Sequence, residues 1–414
     1  MKSSKNLMYS ILTVLTFTMF LSSCEKDKSI NDKQKNTTHS ELDERFKNYQ
    51  LVEIDNKDIW MKLEDQKQET VKLDFKNATT NSSFNKFSFT LNRMKVEADD
   101  FNFYLIAEDG QIQEPDISTP HVLDGKIDND GGNAFMIVNE FNFRAEFNKN
   151  DEVYRLEPLS DHLKEASPDT YINYKVEDVI VKENITCEVE NNKDNNFYKL
   201  ETENHSTSNS AANCYKVEIT FMGDYALYAW RFNYNFDNTY NWMYWKVVNA
   251  GRMYYSNNGY PLNFILKSGY VNNWNGYIAN SSNNANNFIL QWQNFVVNNS
   301  NWFDKGDANI LFTGQDIQSN VIGVAYISSI CNNNYGYNWG GGSFGVVEHQ
   351  WYPYYEDITT AHEIGHILGA GHSNGGFMNS SINGQSWMHS STWNDLNNWL
   401  PGHSWCLGNW GCQW

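Results

Sequence analysis

The chain has 414 residues and a formal net charge of −19, from 31 Lys+Arg and 50 Asp+Glu. This length predicts two or three domains, each large enough to bury a core, and excludes disorder throughout. Nucleic acid is a disfavoured partner, because an acidic surface repels phosphate. With 15% aromatic residues and only 7 Pro, the composition is neither collagen-like nor that of the usual repeat proteins.

The N-terminus has the pattern of a secretion signal. Lys2 and Lys5 precede an apolar run over 7–21, which is short for a membrane span. The run ends in LSSC and resembles a bacterial lipoprotein signal. That resemblance implies that residues 1–24 form the lipoprotein signal and that cleavage leaves Cys24 as the lipidated first residue. The lipid would anchor the chain in the outer membrane. An ordinary signal peptide with an incidental cysteine is the alternative. In both cases the chain leaves the cytoplasm, so disulfides are permitted.

Composition then changes along the chain. Residues 1–200 hold 25 of the 31 basic residues but only one of the 15 Trp, Trp60. The polar runs NNKDNN and HSTSNSAAN, between 191 and 213, are typical of a solvated linker. Alternating apolar runs in the first part, such as FSFTLNRMKV, predict a β-rich unit over 25–200. A second domain is predicted over 201–414.

A histidine pattern in the second domain predicts a helix with a sharp end. Residues 362–372 read HEIGHILGAGH. Helical periodicity extends over 358–368, with Asp357 or Thr359 available as the N-cap. The helix is expected to stop at Gly369, because a residue without Cβ turns most easily there.

This pattern predicts a catalytic zinc site. His362 and His366 lie one turn apart on one helix face, and the turn brings His372 to the same ion. Three protein ligands leave a coordination position open, which is typical of a catalytic zinc. Such a zinc lowers the pKa of its bound water to roughly 7, and Glu363 is positioned as the base that takes the proton.

The residues around the motif resemble a known family. SNGGFMNSS follows the third histidine, as in the metzincin zinc endopeptidases, and this implies a tight turn with Met378 beneath the metal. YKVEITFMGDYAL, DANILFTGQDI, VIGVAYISSIC and the C-terminal WMHSSTWNDLNNWLPGHSWCLGN resemble the adamalysin, or reprolysin, branch in the family's order. The likeness covers most of 213–411 and implies hydrolysis of internal peptide bonds.

The second domain is predicted to be an α/β fold with a twisted, mostly parallel sheet. Strand-like runs alternate with helix-like runs, as in α/β proteins. The predicted strands are 217–221, 262–267, 309–312 and 321–327, and the predicted helices are 238–254 and 283–297. The family resemblance implies that the strand before Cys331 is an antiparallel edge. We expect 321–330 to border the cleft, where an extended substrate adds its backbone. A buried strand without a role in binding is the alternative.

The first part resembles the family's inhibitory propeptide. VYRLEPLSDH and YINYKVEDV carry that resemblance, which implies that a downstream cysteine blocks the zinc as thiolate, and Cys187 stands at that place. Its usual local motif is absent. Some bacterial relatives with this layout, the fragilysin-like toxins, use an Asp, so Asp178 and Asp194 are alternatives.

Four cysteines remain after Cys24 and Cys187, an even number that suits two disulfides with three possible connectivities. The family pattern implies Cys331–Cys406, and Cys214–Cys412 would then join the two ends of the domain. A Cys187–Cys214 bridge is a competing possibility, which would contradict a latency role for Cys187.

Calcium is implied by the family resemblance alone. In the relatives a calcium ion ties the first strand to the C-terminal tail. The matching positions are Glu218, Asp307 and Asn409, all oxygen donors as a hard cation requires.

The sequence therefore predicts an exported zinc endopeptidase made as a monomeric zymogen. It would be anchored to the outer membrane until cleavage in the linker releases it to act on extracellular proteins or peptides. The alternative is a surface adhesin or glycan-binding lipoprotein with a silent zinc site. For that function, the Asn, Trp and Tyr residues of 225–300 would bind sugars rather than pack the core.

Overall fold

The structure is a computed structural model. It describes residues 40–66, 68–74, 88–128, 131–163, 166–181, 185–190, 214–255, 258–275, 284–331, 343–404 and 406–410. The internal contacts of the chain divide it into two compact units, Met1–Asn48 and Tyr49–Trp414. In the first unit, the Phe46 amide donates to the Leu42 carbonyl at 2.8 Å within a helical turn. The features below lie in the second unit.

Seventeen strands and five α-helices are defined in the described part of the second unit. The strands are β1 (Tyr49–Glu53), β2 (Thr70–Asp74), β3 (Ser88–Met94), β4 (Glu97–Ile106), β5 (Ile112–Gln113), β6 (His121–Ile127), β7 (Asn133–Val138), β8 (Phe143–Lys149), β9 (Glu152–Pro158), β10 (Thr170–Lys175), β11 (Thr186–Glu190), β12 (Cys214–Gly223), β13 (Leu262–Asn272), β14 (Ala308–Thr313), β15 (Val321–Tyr326), β16 (Phe344–Glu348) and β17 (Gly408–Trp410). The α-helices are α1 (Asn56–Asp65), α2 (Phe236–Tyr254), α3 (Ala285–Asn298), α4 (Pro353–Ile367) and α5 (Ser390–His403). None of the described helices is long and apolar enough to cross a membrane.

The predicted β-rich part forms an antiparallel sheet of eight strands. Their order is β1-β10-β9-β8-β7-β6-β3-β2. One face of this sheet packs around side chains with no exposed surface, including Phe89, Leu91, Leu123, Met136 and Leu156.

The second sheet has the predicted α/β architecture. Its order is β11-β15-β16-β14-β12-β13-β4-β5, and β17 pairs with the start of β12. The pairs β13–β12, β12–β14 and β14–β16 are parallel, whereas β15 runs antiparallel to β16. The α/β class, the mostly parallel sheet and the antiparallel strand near its edge are therefore confirmed.

The sheet is buried on both faces because helices cover each side. Helices α2 and α4 contribute Trp242, Met243, Ile358 and Ile364 to the core on one face, whereas α3 contributes Trp292 to the other. Strands buried on both faces are continuously apolar, which explains why the runs in β14 and β15 were recognisable in the sequence.

Three features differ from the predictions. Strand β16 was missed, and β4 and β11, from the predicted prosegment, extend the second sheet on its two sides. The zinc-motif helix begins at Pro353 with Tyr352 as its N-cap, so capping by Asp357 or Thr359 was wrong. Pro353 supplies a preset φ at the first helical position, and Asp357 instead lies fully buried within the helix.

Candidate metal centre and cleft

Helix α4 places two histidines on one buried face. His362 and His366 have no exposed surface, and the helix ends one residue after His366. Gly369 then adopts φ +102°, where a side chain is strained, and a Cβ there would overlap the indole of Trp399. The predicted sharp turn is therefore present, and it leads the chain back towards His372.

The Nε2 atoms of the three histidines converge. Nε2 of His366 lies 2.9 Å from that of His362 and 3.2 Å from that of His372. Four-coordinate zinc with Zn–N bonds of 2.0–2.1 Å would hold such nitrogens about 3.3 Å apart. The spacing in the protein is close to that value.

The protonation pattern also fits a cation. Nδ1 of His362 donates to the Phe377 carbonyl at 2.7 Å, and Nδ1 of His366 donates to the Ala370 carbonyl at 2.8 Å. Because a carbonyl only accepts, both protons are on Nδ1 and both Nε2 lone pairs are free. Burial lowers the pKa of His362 to about 3 and that of His366 well below its usual value. Both rings are thus neutral, as metal ligands must be, and the donor set fits zinc.

Glu363 lies between the histidines and the edge of the sheet. Its side chain is fully buried, and burial raises the pKa of the carboxyl well above the usual range. A Cβ on Gly323 of β15 would overlap its Oε1 atom. The carboxylate is therefore packed directly against the strand predicted to border the cleft.

Met378 lies beneath the zinc-motif helix. It is 1% exposed, and a Cβ at Gly365 would overlap its Sδ atom. The turn is closed by the Ser373 amide, which donates to the Met378 carbonyl at 2.9 Å. The preceding Phe377 carbonyl holds His362, so the turn both supports the helix and orients a ligand.

Strand β11 occupies the cleft edge. It runs parallel to β15, with Cys187 opposite Gly323. On its other side, the Cys187 amide donates to the Ser380 carbonyl at 3.1 Å, and the Ile382 amide donates to the Ile185 carbonyl at 3.0 Å. The strand is therefore held between the sheet edge and the segment that follows the Met378 turn.

Cys187 is a buried free thiol at this site. Its Sγ atom, a ring nitrogen of His362 and a carboxylate oxygen of Glu363 all lie within 4.8 Å of one another. Burial raises the pKa of the thiol well above its usual value, and the charge of Glu363 adds to the effect. Asp178 belongs to neither of the two potential metal-ligand clusters found among the described residues. Asp194 lies outside the described residues.

Two cysteines are joined as the family resemblance implied. Cys331 and Cys406 form a disulfide with a Cα–Cα distance of 5.5 Å. Cys214 is also disulfide-bonded, whereas Cys187 is free, which excludes a Cys187–Cys214 bridge. Cys24 and Cys412 lie outside the described residues, so lipidation and the Cys214–Cys412 bridge stay predictions.

Two of the three possible calcium ligands are adjacent. The Glu218 amide donates to Oδ2 of Asp307 at 2.8 Å, and Oε1 of Glu218 pairs with Lys216 Nζ at 2.7 Å. Strand β17 places Asn409 opposite Tyr215, although its side chain is outside the described atoms. Calcium stays a prediction.

Sequence reasoning missed the close packing of Gly323 and Tyr254 around the site. The Tyr254 hydroxyl donates to the Ala361 carbonyl at 2.8 Å, next to the first histidine. A glycine inside the apolar run VIGVAY was the available signal for Gly323, because strand glycines often mark a close approach. Tyr254 gave no local signal.

The comparison with protein families agrees with this geometry. Residues 213–399 match the Reprolysin_5 model of metallo-peptidase family M12. A similar solved structure is metalloproteinase-II from Bacteroides fragilis, at 12% identity and a TM-score of 0.49, over 83% of this chain and 96% of that one. Three converging neutral imidazoles in a segment that matches this family identify residues 213–399 as a metzincin-like metallopeptidase domain.

Proposed function

We propose that this chain is the latent precursor of a secreted zinc endopeptidase that cleaves internal bonds of extracellular proteins. The observation that carries the proposal is the position of β11, whose Cys187 lies beside His362 and Glu363 while the strand fills the cleft edge. The segment over 25–200 is then the inhibitory propeptide, and 201–414 the catalytic domain.

The catalytic roles follow from the geometry of the cleft. His362, His366 and His372 would hold the zinc, which supplies Lewis acidity to the scissile carbonyl and to the attacking water. Glu363 takes a proton from that water and passes it to the leaving nitrogen. A buried carboxylate with a raised pKa is suited to both transfers.

Substrate binding would use the edge of β15. An extended peptide adds its backbone to an exposed strand through main-chain hydrogen bonds. In the precursor β11 already makes this pairing, so the peptide and the prosegment compete for one edge. Latency therefore has two parts, a strand that excludes the peptide and a thiol that takes the open zinc position as thiolate.

Export and release complete the proposal. The signal over 1–24 and the lipid on Cys24 would keep the monomeric precursor at the outer membrane. Cleavage between 191 and 213 would break the covalent link between the anchor and the metallopeptidase domain, which would act in the extracellular medium once the prosegment has dissociated.

The test is Glu363→Ala in the matured enzyme. We expect loss of cleavage of a generic protein substrate by roughly 10³-fold, within the range of general acid–base catalysis, with nearly unchanged zinc content. Asp316→Ala is the matched control, because its carboxylate is 82% exposed and, among the described residues, forms an ion pair with Arg231 alone. Equal activity of Glu363→Ala and the parent enzyme would refute the proposal.

A further inference from the structure

A buried carboxylate on the zinc-motif helix contacts helix α2. Asp357 precedes the first histidine by more than one turn and has no exposed surface. Helix α2 surrounds it with donors. Trp245 Nε1 donates to Oδ2 at 3.0 Å, Asn249 Nδ2 donates to the same atom at 2.8 Å, and Lys246 Nζ lies 2.8 Å from Oδ1.

An arginine from the predicted prosegment completes this environment. Arg155 of β9 is fully buried, and its Nη2 forms an ion pair with Oδ2 of Asp357. Its guanidinium lies 5.3 Å from the ring centre of Trp245 and 5.0 Å from that of Tyr354. A planar guanidinium is stabilised by stacking on aromatic rings and by pairing with a carboxylate.

The charges around Asp357 show why the metallopeptidase domain needs a cation at this place. Glu356 and Asp357 share Lys246, whose Nζ lies 3.1 Å from Oε2 of Glu356. His349 also contacts Glu356, but burial lowers the pKa of His349, so that contact is an imidazole N–H donating to a carboxylate. On the side of the zinc-motif helix, two carboxylates and one ammonium leave one net negative charge. Arg155 faces this charge, and its guanidinium also contacts Glu146 and Glu157 of the prosegment. Leaving a buried charge uncompensated is strongly destabilising.

The pairing is reciprocal across the two segments. Arg252 of α2 pairs with Glu146 of β8 at 2.7 Å, and Glu146 also pairs with Arg155 at 2.7 Å. Charges therefore alternate from Asp357 through Arg155 and Glu146 to Arg252. Although burial opposes the charge on Arg155, the neighbouring carboxylates keep its pKa well above the usual value.

We propose that Asp357, Trp245 and Tyr354 form a guanidinium-binding site on the metallopeptidase domain, and that Arg155 in this site anchors the prosegment independently of Cys187. The site holds β9, whereas Cys187 is on β11 at the cleft. This inference rests on the proposed function for one point, namely that the chain is cut in the linker between 191 and 213. A cut between 191 and 213 then leaves the two parts associated through this site as well as through the strand pairs β4–β13 and β11–β15.

The experiment measures association and not catalysis. A specific protease site is placed between 191 and 213 of the full chain, and the cut protein is separated by size at increasing dilution. We expect Arg155→Met to weaken association of the two parts by at least about 100-fold, in line with the cost of breaking one buried ion pair. Cys187→Ala should leave them associated.

The matched control is Arg144→Met. Arg144 is also buried and pairs with Asp161 at 2.7 Å, but both residues belong to the prosegment. We expect this variant to fold less stably without the selective loss of association. Unchanged association in Arg155→Met, or release by Cys187→Ala alone, would overturn the proposal.

A probe on the cut parent protein tests the site without any substitution. Agmatine carries a guanidinium at the end of a short alkyl stem, and cadaverine carries an amine at the corresponding place. We expect agmatine to accelerate separation of the two parts and cadaverine to have a smaller effect, because an amine lacks the planar fork. Equal effects of the two dications would count against a guanidinium site. An active precursor would contradict the zymogen, but it would not alter this association measurement.

Discussion

The thiol of Cys187 and the carboxylate of Glu363 face each other across the edge of the catalytic sheet, with their nearest ligand atoms within 4.8 Å. Cys187 is opposite Gly323 in the strand pairing, and Gly323 has no side chain to separate the two groups. The thiol and the carboxylate therefore share the space that substrate and water would need in the proposed mechanism.

Replacing this thiol should weaken latency. We expect Cys187→Ala to give a precursor that cleaves substrate before the linker is cut, or that matures faster. Activity should rise roughly tenfold for each 1.4 kcal/mol that thiolate coordination contributes. The measurement is peptidase activity of the uncut precursor. Thr186→Ala is the control, because its hydroxyl donates to the Asn320 carbonyl, at 3.3 Å, and belongs to neither potential metal-ligand cluster of the described residues. A fully latent Cys187→Ala would remove the switch.

Gly365 should be needed for the packing of Met378. A Cβ at this position would overlap Sδ of Met378 and lie 2.7 Å from the Tyr254 hydroxyl. We expect Gly365→Ala to destabilise the domain by about 1–3 kcal/mol through overpacking and to weaken zinc retention. Thermal unfolding and competition with a chelator measure the two effects. In Gly402→Ala the new Cβ meets nothing within 4 Å, so that control should be neutral or slightly stabilising.

The metal-site elements could be predicted because their signals are local. The spacing of His362 and His366 specifies one helical face, and Gly369 marks the turn. The strand runs were equally visible, since strands covered on both faces are continuously apolar. The helix starts before the predicted position because Pro353 presets φ at its first residue, whereas Asp357 is buried within the helix.

The joining of the two segments could not be predicted in the same way. Strand β4 pairs with β13, and β11 pairs with β15. The partners are far apart in the sequence, so no local periodicity predicts these pairings. Arg155 and Asp357 are likewise about 200 residues apart, and each alone has the appearance of an ordinary surface charge. Only the fold shows that their burial is mutual.

Calcium should act through Asp307 if it binds. Burial raises the pKa of this carboxyl from 3.8 to about 6, so its protonated form stabilises the fold below pH 3.8. That contribution is lost as the pH rises through 6, and the ionised group then costs on the order of 3 kcal/mol. A cation would offset this cost. We expect calcium to raise the melting temperature more at pH 7.5 than at pH 5.

Asp307→Asn separates this effect from general ion binding. The variant should lose the calcium response and, without calcium at pH 7.5, should be more stable than the parent protein. Asp316→Asn, at an exposed carboxylate, is the control and should keep the response. The same calcium response in parent and Asp307→Asn would exclude this site.

Acid should weaken the prosegment through Glu157. Burial alone would raise the pKa of this carboxyl, but the hydrogen bond from His162 and the charge of Arg155 lower it from 4.5 to about 2. A lowered folded-state pKa means stability that is complete above pH 4.5 and is lost as the pH falls towards 2. The loss should approach roughly 3 kcal/mol. Urea unfolding between pH 5 and pH 2.5 measures it.

Glu157→Gln isolates this contribution from the other carboxylates. The variant keeps the size of the side chain but cannot ionise, so the difference in unfolding free energy between parent and variant should shrink as the pH falls from 5 to 2.5. Glu157 lies 3.2 Å from Nη1 of Arg155, the residue that reaches Asp357. Its protonation should therefore loosen the prosegment before the metallopeptidase core unfolds. A parent–variant difference that is constant across this pH range would show that Glu157 titrates normally and does not link acid to prosegment binding.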